Sequence, residues 1–241
     1  MKLINYIILS IFITSFFIRS NNEKLSGEVE YGFLPNNVSQ EEKQNSKELY
    51  DVLDKMNEAA SGLTFILKFN LNESFFELNP QMESDIKPMG IAYAKNMISK
   101  GKYYFNKKKD ELLREANLYD NYTLIKSIPS QSKWTLYQDT KKIDKYLCYK
   151  ATKIKTVTNN LGDHHFVIEA WYTPEIPVPF GPNEFNSLPG LILELKDASF
   201  TFYAKKVSID KSKSAVINHL ESKNIITEEK NNQNFFKLRK N

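Results

Sequence analysis

With 241 residues, the chain has room for one large domain or two small ones at roughly 100–200 residues each. A hydrophobic share of 41%, including 16 Phe, 13 Tyr and 2 Trp, excludes a wholly disordered polypeptide. One cysteine excludes an internal disulfide and any multi-cysteine metal centre, and a formal net charge of +4 is too small for a nucleic-acid-binding surface.

Met1 and Lys2 make a short positive start, and Leu3 to Phe17 is apolar apart from Asn5, Ser10, Thr14 and Ser15. At 15 residues this run fits the apolar stretch of a signal peptide and falls short of the roughly 20 needed to cross a bilayer. Residues 1–20 are expected to be a removed signal peptide, residues 21–225 a single mostly-β domain, and residues 226–241 a polar C-terminal tail. An uncleaved membrane anchor is the alternative reading of the same run. Export puts an unpaired thiol in an oxidising compartment, so Cys148, alternating with Tyr146, is expected to be buried as a small hydrophobe.

Along the chain, Gly27 to Leu34 places Val29, Tyr31 and Phe33 on one side at period two, the pattern of a half-buried strand. Ser39 and Glu42 have capping-box spacing, and Leu49, Val52, Leu53 and Met56 recur at helical spacing, so a helix is predicted over residues 40–60 with its apolar stripe on the core. Leu63 to Asn70 and Ser74 to Leu78 read as a β-hairpin. Gln81 to Ser99 is helix or loop, because Pro88 interrupts a roughly helical pattern. From Lys102 onward come short segments of β character separated by turn-forming clusters. They are Lys102–Asn106, Leu112–Ala116, Tyr122–Ser127, Trp134–Gln138, Tyr146–Val157, Phe166–Thr173, Leu191–Leu195 and Ser199–Val207. Such spacing predicts an antiparallel meander. A second helix is predicted over Lys213 to Glu221, carrying Val216, Ile217 and Leu220. The fold class is therefore α+β and mostly β: a curved antiparallel sheet or incomplete barrel with one N-terminal amphipathic helix.

Pro174, Pro177, Pro179, Pro182 and Pro189 cluster between β-like segments, so Thr173 to Pro182 must leave the sheet as an extended crossing. Pro189-Gly190 suits the centre of a type II turn. The run Ala170-Trp171-Tyr172-Thr173-Pro174-Glu175-Ile176-Pro177, followed by Gly181-Pro182, Phe185 and Ser187 to Glu194, resembles the signature of the GLPGLI family. That family is named for a Gly-Leu-Pro-Gly-Leu-Ile motif. Trp134 to Tyr137, Thr140 to Ile143 and Tyr146 to Thr152 are similar to the segment that normally precedes it, and the hairpin Leu63 to Glu77 also fits. Ser187 stands where the family usually has Gly, from which a turn that tolerates a side chain is expected. The resemblance implies an exported, mostly-β protein of Gram-negative bacteria, encoded near outer-membrane transporters and without assigned catalytic residues. By fold analogy alone it also looks compatible with the incomplete barrels of periplasmic lipoprotein carriers.

Few residues carry recognisable chemistry. His164 and His165 are adjacent, and on a strand they point to opposite faces, which suits a single metal ion poorly. A thiol hydrolase would need Cys148 beside a His, with a cationic neighbour or helix N-terminus to lower its pKa. Glu169 and Glu175 flank Trp171, but sequence proximity alone is weak ground for paired-carboxylate chemistry. No catalytic residue, metal ligand or cofactor is assigned. Aromatic side chains around the proline segment fit core packing and can also line a concave sheet, so Trp171, Tyr172, Pro174, Pro177, Phe180, Phe185, Leu188, Pro189 and Gly190 are the candidate binding residues. The expected function is non-enzymatic binding of an apolar or peptide ligand, or of an outer-membrane transporter, in the periplasm or at the outer membrane. A periplasmic metal-dependent or thiol hydrolase and a structural accessory subunit of a transport complex are the alternatives.

Overall fold

The computed structural model describes residues 24–36, 40–82, 87–118, 121–131, 133–159 and 162–232. The signal peptide expected at residues 1–20, Ser39 of the capping box and the end of the tail lie outside these. Period-two alternation becomes strand wherever it was read. β1 (Ser26–Pro35) buries Val29 and Tyr31, and β2 (Phe65–Asn70) with β3 (Glu73–Leu78) forms the hairpin. Its turn is an Asx turn: the Asn70 side-chain oxygen accepts the N–H groups of Asn72 at 2.8 Å and Glu73 at 2.9 Å. Next come β4 (Tyr103–Asn106), β5 (Glu111–Leu118), β6 (Asn121–Ser127), β7 (Thr135–Ile143), β8 (Tyr146–Asn159), β9 (Gly162–Thr173), β10 (Leu191–Lys196), β11 (Phe200–Asp210) and β12 (Ile225–Thr227).

These strands form one open 12-stranded sheet in the order β12-β6-β5-β4-β3-β2-β1-β11-β10-β9-β8-β7. Two meanders, β1–β6 and β7–β11, are stitched together by the antiparallel pairing of β1 with β11. The remaining pairings are antiparallel too, except that β12 runs parallel to β6. Residues Ile225 to Thr227, placed by the sequence where the domain ends and the tail begins, thus belong to the sheet.

The helices differ from expectation in instructive ways. The helix predicted over residues 40–60 is two, α1 (Gln40–Asn45) and α2 (Lys47–Ala59), separated at Ser46, whose φ of −139° is extended. In α2 no residue is fully buried. Leu53 and Met56 pack against the core, while Leu49 and Val52 remain 57% and 48% exposed, so only part of the stripe faces inward. Pro88 begins a helix instead of breaking one, because at the first turn its missing N–H has no partner to lose. α3 (Pro88–Tyr93) then widens into a π-helical turn, Ala94–Ile98, that buries Ala94 and Ile98. α2 and α3 meet closely: a Cβ on Gly90 would lie 2.1 Å from the Ala59 carbonyl oxygen.

Lys213 to Glu221 is not helical. The segment runs as an irregular strap across the sheet face opposite the main core, burying Ile217 and Leu220 against Phe75, Tyr104, Leu113 and Leu124. Its carbonyls are taken by the sheet: Ser26 Oγ donates to Lys213 O at 3.1 Å and Asn70 Nδ2 to Ala215 O at 3.0 Å. A helix would have used such acceptors internally and left that apolar face uncovered.

On the main face the proline segment between β9 and β10 serves as the filling. Ile176, Val178, Phe180, Phe185 and Leu188 are buried, and the Phe180 ring meets Phe69 and Phe105 at centroid distances of 6.0 and 5.6 Å. Tyr31 Oη donates to the Ile192 carbonyl, tying β1 to β10 across the core. Gly190 is not a type II turn glycine, since its φ lies outside the left-handed range. It is required because a Cβ would stand 2.2 Å from the Thr173 carbonyl oxygen. The left-handed residue is Ser187, at φ +70°, so the turn has the conformation that Gly adopts most easily and carries a side chain despite it.

Candidate ligand-binding cleft

Strand β8 inverts the ordinary inside–outside pattern near its far end. Ile154 points outward at 60% exposure, while Lys153 and Lys155 on either side point inward. They face a cleft of about 670 Å³ whose other walls come from β5 and β6, far from β8 in the strand order, and from Glu184, Phe185 and Asn186 of the proline segment. Leu112, Ile125, Ile128 and Pro129 give it an apolar side, and Lys100, Tyr103 and Arg114 close another.

Electrostatics organise this space. Lys155 Nζ lies 2.7 Å from Glu184 Oε1 and 3.5 Å from Asp197 Oδ2. Burial pushes the Glu184 carboxyl up, but the Lys155 ammonium outweighs it and brings the carboxyl down to about 2. The same two carboxylates overcome the desolvation of Lys155 and raise its pKa. Lys153 differs: burial dominates and lowers its ammonium to about 8. Its Nζ stands over the rings of Trp134, 4.8 Å from the centroid, and Phe185, 4.7 Å. Arg114 reaches Glu228 only at 3.7 Å. Burial raises the pKa of the Tyr103 phenol above its ordinary value, which favours the protonated, donating form.

Two further spaces adjoin. A groove of about 1210 Å³ runs between α3 and strands β3–β5, and a cavity of about 230 Å³ lies beneath Asn183, Asp197 and Phe200. Lys100 lines all three. Its backbone is left-handed, φ +56°, and so is that of Asn183, φ +52°. Asn183 donates from Nδ2 to the Ile98 carbonyl at 3.1 Å, yet its buried Oδ1 has no partner. Unfavourable backbone at two side chains bordering one cavity system is the kind of stored strain that clusters at functional sites.

The residues singled out from the sequence are dispersed. Phe185 alone among them lines the cleft. Phe180, Leu188 and Gly190 are inside the core and Tyr172 is 6% exposed, while Pro174, Pro177 and Pro189 are on the surface. Trp171 donates to Glu169 at 2.9 Å and lies under Lys141. Cys148 is buried, and desolvation pushes its thiol up to about 11. His165 Nδ1 lies 2.9 Å from Thr156 Oγ1 on an exposed face, and His219 is on the opposite sheet face beside Tyr104. Among the described residues no three His, Cys, Asp or Glu side chains converge as a metal would require. Sequence reasoning missed Lys100, Arg114, Lys153, Lys155 and Glu184. The one available signal was the Lys153-Ile154-Lys155 alternation, with Lys153 standing opposite the buried Ile168 of β9.

Residues 158–194, from the end of β8 through the proline segment to β10, match the model of a family described as a protein of unknown function (Porph_ging). No curated protein matches the sequence. Two solved structures of PNGF-II are similar to parts of this chain. The one in space group C2 has 18% identity over 85% of this chain and 31% of that one, with a TM-score of 0.48; the one in P21 has 16% identity over 84% and 31%, with a TM-score of 0.42. The chain thus spans about a third of the length of the solved protein it resembles.

Proposed function

We propose that the protein is an exported, non-enzymatic binding protein of GLPGLI type, acting in the periplasm or at the outer membrane, that holds its ligand between the two ends of a curved, incompletely closed sheet. The carrying observation is the cleft itself: about 670 Å³, with an apolar wall and a few converging polar groups, the usual make-up of a ligand site. The proline segment supports this role as architecture. Its buried face fills the sheet, and its rim residues Glu184 to Asn186 present one wall of the cleft. Native mass spectrometry of the protein purified without denaturation from its host's exported fraction tests the reading. A bound small molecule is expected, and Ile128→Trp, at a half-exposed lining position, should displace it. A ligand-free protein, or a ligand indifferent to that substitution, would sink it. The mature N-terminus found in the same experiment tests export.

The outer face of β7–β9 favours a second reading, an accessory subunit of an outer-membrane complex. There Tyr137, Ile154 and Val167 are 40%, 60% and 63% exposed, with Ile154 directly opposite Val167. Tyr137→Glu with Val167→Glu, neither of which lines the cleft, should then abolish co-purification with membranes while leaving the cleft ligand in place.

A further inference from the structure

We infer that one end of the sheet is a docking surface for an anionic lipid membrane, presented by the turns and chain ends that meet there. The antiparallel register gathers these segments. β1 starts at Ser26, which stands opposite Asn70 at the end of β2 and Asp210 at the end of β11. The β2–β3 turn touches the β4–β5 turn, where the Lys107 N–H donates to the Asn72 carbonyl at 2.8 Å. Asp110 of the latter turn accepts the Ser130 N–H at 3.1 Å, just past β6. The strap that leaves β11 is tied to the same end, since Ser26 Oγ donates to Lys213 O.

Lysines crowd this end: Lys24, Lys107, Lys108, Lys109, Lys211 and Lys213 are all exposed. Lys126 pairs with Glu111, and Lys213 lies 3.6 Å from Asp210. Glu73 and Asp110 are the other carboxylates on these segments, and further along the strands Glu28 and Lys68 face each other and cancel. With every partner counted, the end carries seven lysines and four carboxylates, so most of the chain's formal +4 is concentrated here. Two features point to a membrane as the anion. None of the six exposed lysines lines the cleft, the groove or the small cavity, so their charge is spread over a surface and does not converge on a small ligand. The apolar run Leu3 to Phe17 precedes Lys24 by only six residues, which fully extended span at most about 20 Å. While that run is in a bilayer, this end of the domain is therefore held close to the headgroups, and lysines near an anionic leaflet are attracted to it. The surface is separate from the cleft, so the inference stands whether or not the cleft holds a ligand.

Co-sedimentation of the full chain, as purified from its host, with lipid vesicles tests this. Vesicles of equal parts phosphatidylcholine and phosphatidylglycerol should bind it at least about a hundredfold more tightly than phosphatidylcholine alone, and salt at about 0.5 M should erase the difference. Lys107→Gln, Lys108→Gln and Lys109→Gln combined should weaken binding to the mixed vesicles by at least about tenfold. The same loss of charge at the opposite end, Lys43→Gln, Lys47→Gln and Lys55→Gln on the helices that join β1 to β2, should leave it within about twofold, because distant charges are screened. Circular dichroism melting confirms that both variants fold. Equal binding to the two kinds of vesicle, an unchanged affinity in the Lys107–Lys109 variant, or equal weakening in both variants overturns the inference. So does a protein that binds neither vesicle while the Lys107–Lys109 variant ceases to co-purify with membranes, since an acidic protein would then occupy the surface.

Discussion

Ser187 shows how much one residue type leaves unsaid. Its place in the proline segment was evident from the sequence, and a turn accommodating a side chain was expected there, yet φ is +70°, where a Cβ is strained by roughly 1–2 kcal/mol. Its Oγ donates to Asn186 Oδ1 at 2.9 Å, a partly exposed bond that recovers only a fraction of that. Ser187→Gly is therefore expected to raise stability by about 0.5–1 kcal/mol in urea unfolding. Gly190→Ala should do the opposite, because its Cβ would meet backbone that cannot rotate away. Glu184 makes a pH prediction. Its carboxyl is held at about 2 in the fold, below its ordinary value of 4.5, so it contributes stability above about pH 4.5 that is lost as pH falls toward about 2. Glu184→Gln should flatten the unfolding midpoint across that window. Lys153 has the contrary sign for a base. Its ammonium is held at about 8 against an ordinary 10.5, so the charged form costs stability at neutral pH, and the cost fades between about pH 8 and 10.5. Lys153→Met should accordingly melt higher than the natural chain at pH 7, with the advantage shrinking above pH 8. A destabilising lysine kept in place is what a binding site would require.

Among the elements, the strands were legible and the segments between them less so. Alternation is a local signal, and β1, the β2–β3 hairpin, β8 and β9 lie where Val29, Phe69, Ala151 and Ile168 required an inward face. Whether an apolar pair three residues apart belongs to a helix or an extended strap is decided by what it covers. Ile217 and Leu220 fit both patterns, and the strap prevails because Phe75, Tyr104, Leu113 and Leu124 lie uncovered beneath it. The stripe on α2 was misjudged for the same reason: spacing reveals an apolar face and not how much of it meets the core. The proline segment was recognised as rigid, its aromatic residues fitting either a concave binding face or core packing, and most of its hydrophobic residues are filling. Phe180→Ala should thus cost about 3–5 kcal/mol, the figure for emptying a fully buried aromatic site, where a rim position would cost under 1. Equilibrium unfolding in urea separates the two.

At the scale of the whole molecule, the order of the sheet was beyond reach of the sequence. Each meander follows from short turns between neighbouring strands, but the pairing of β1 with β11 joins residues such as Val29 and Val207 that no local pattern relates. The cleft was hidden for a parallel reason. Lys100, Arg114, Lys153 and Glu184 come from four separate stretches of chain, and they adjoin only because the sheet returns toward itself around the proline segment.

The three residues of β12 also decide how such a sheet behaves among its copies. Ile225 to Thr227 pair with Leu124 to Lys126 and make a short border strand beyond β6, while among the described residues β7 is the other border. A border strand of three residues is a poor template for another chain, so sideways stacking through the longer β7 border favours a pair. Chains ending at residue 224 would have two such borders, the condition for unlimited end-on-end growth, and are expected to scatter light and form fibrils under conditions where the natural chain stays clear.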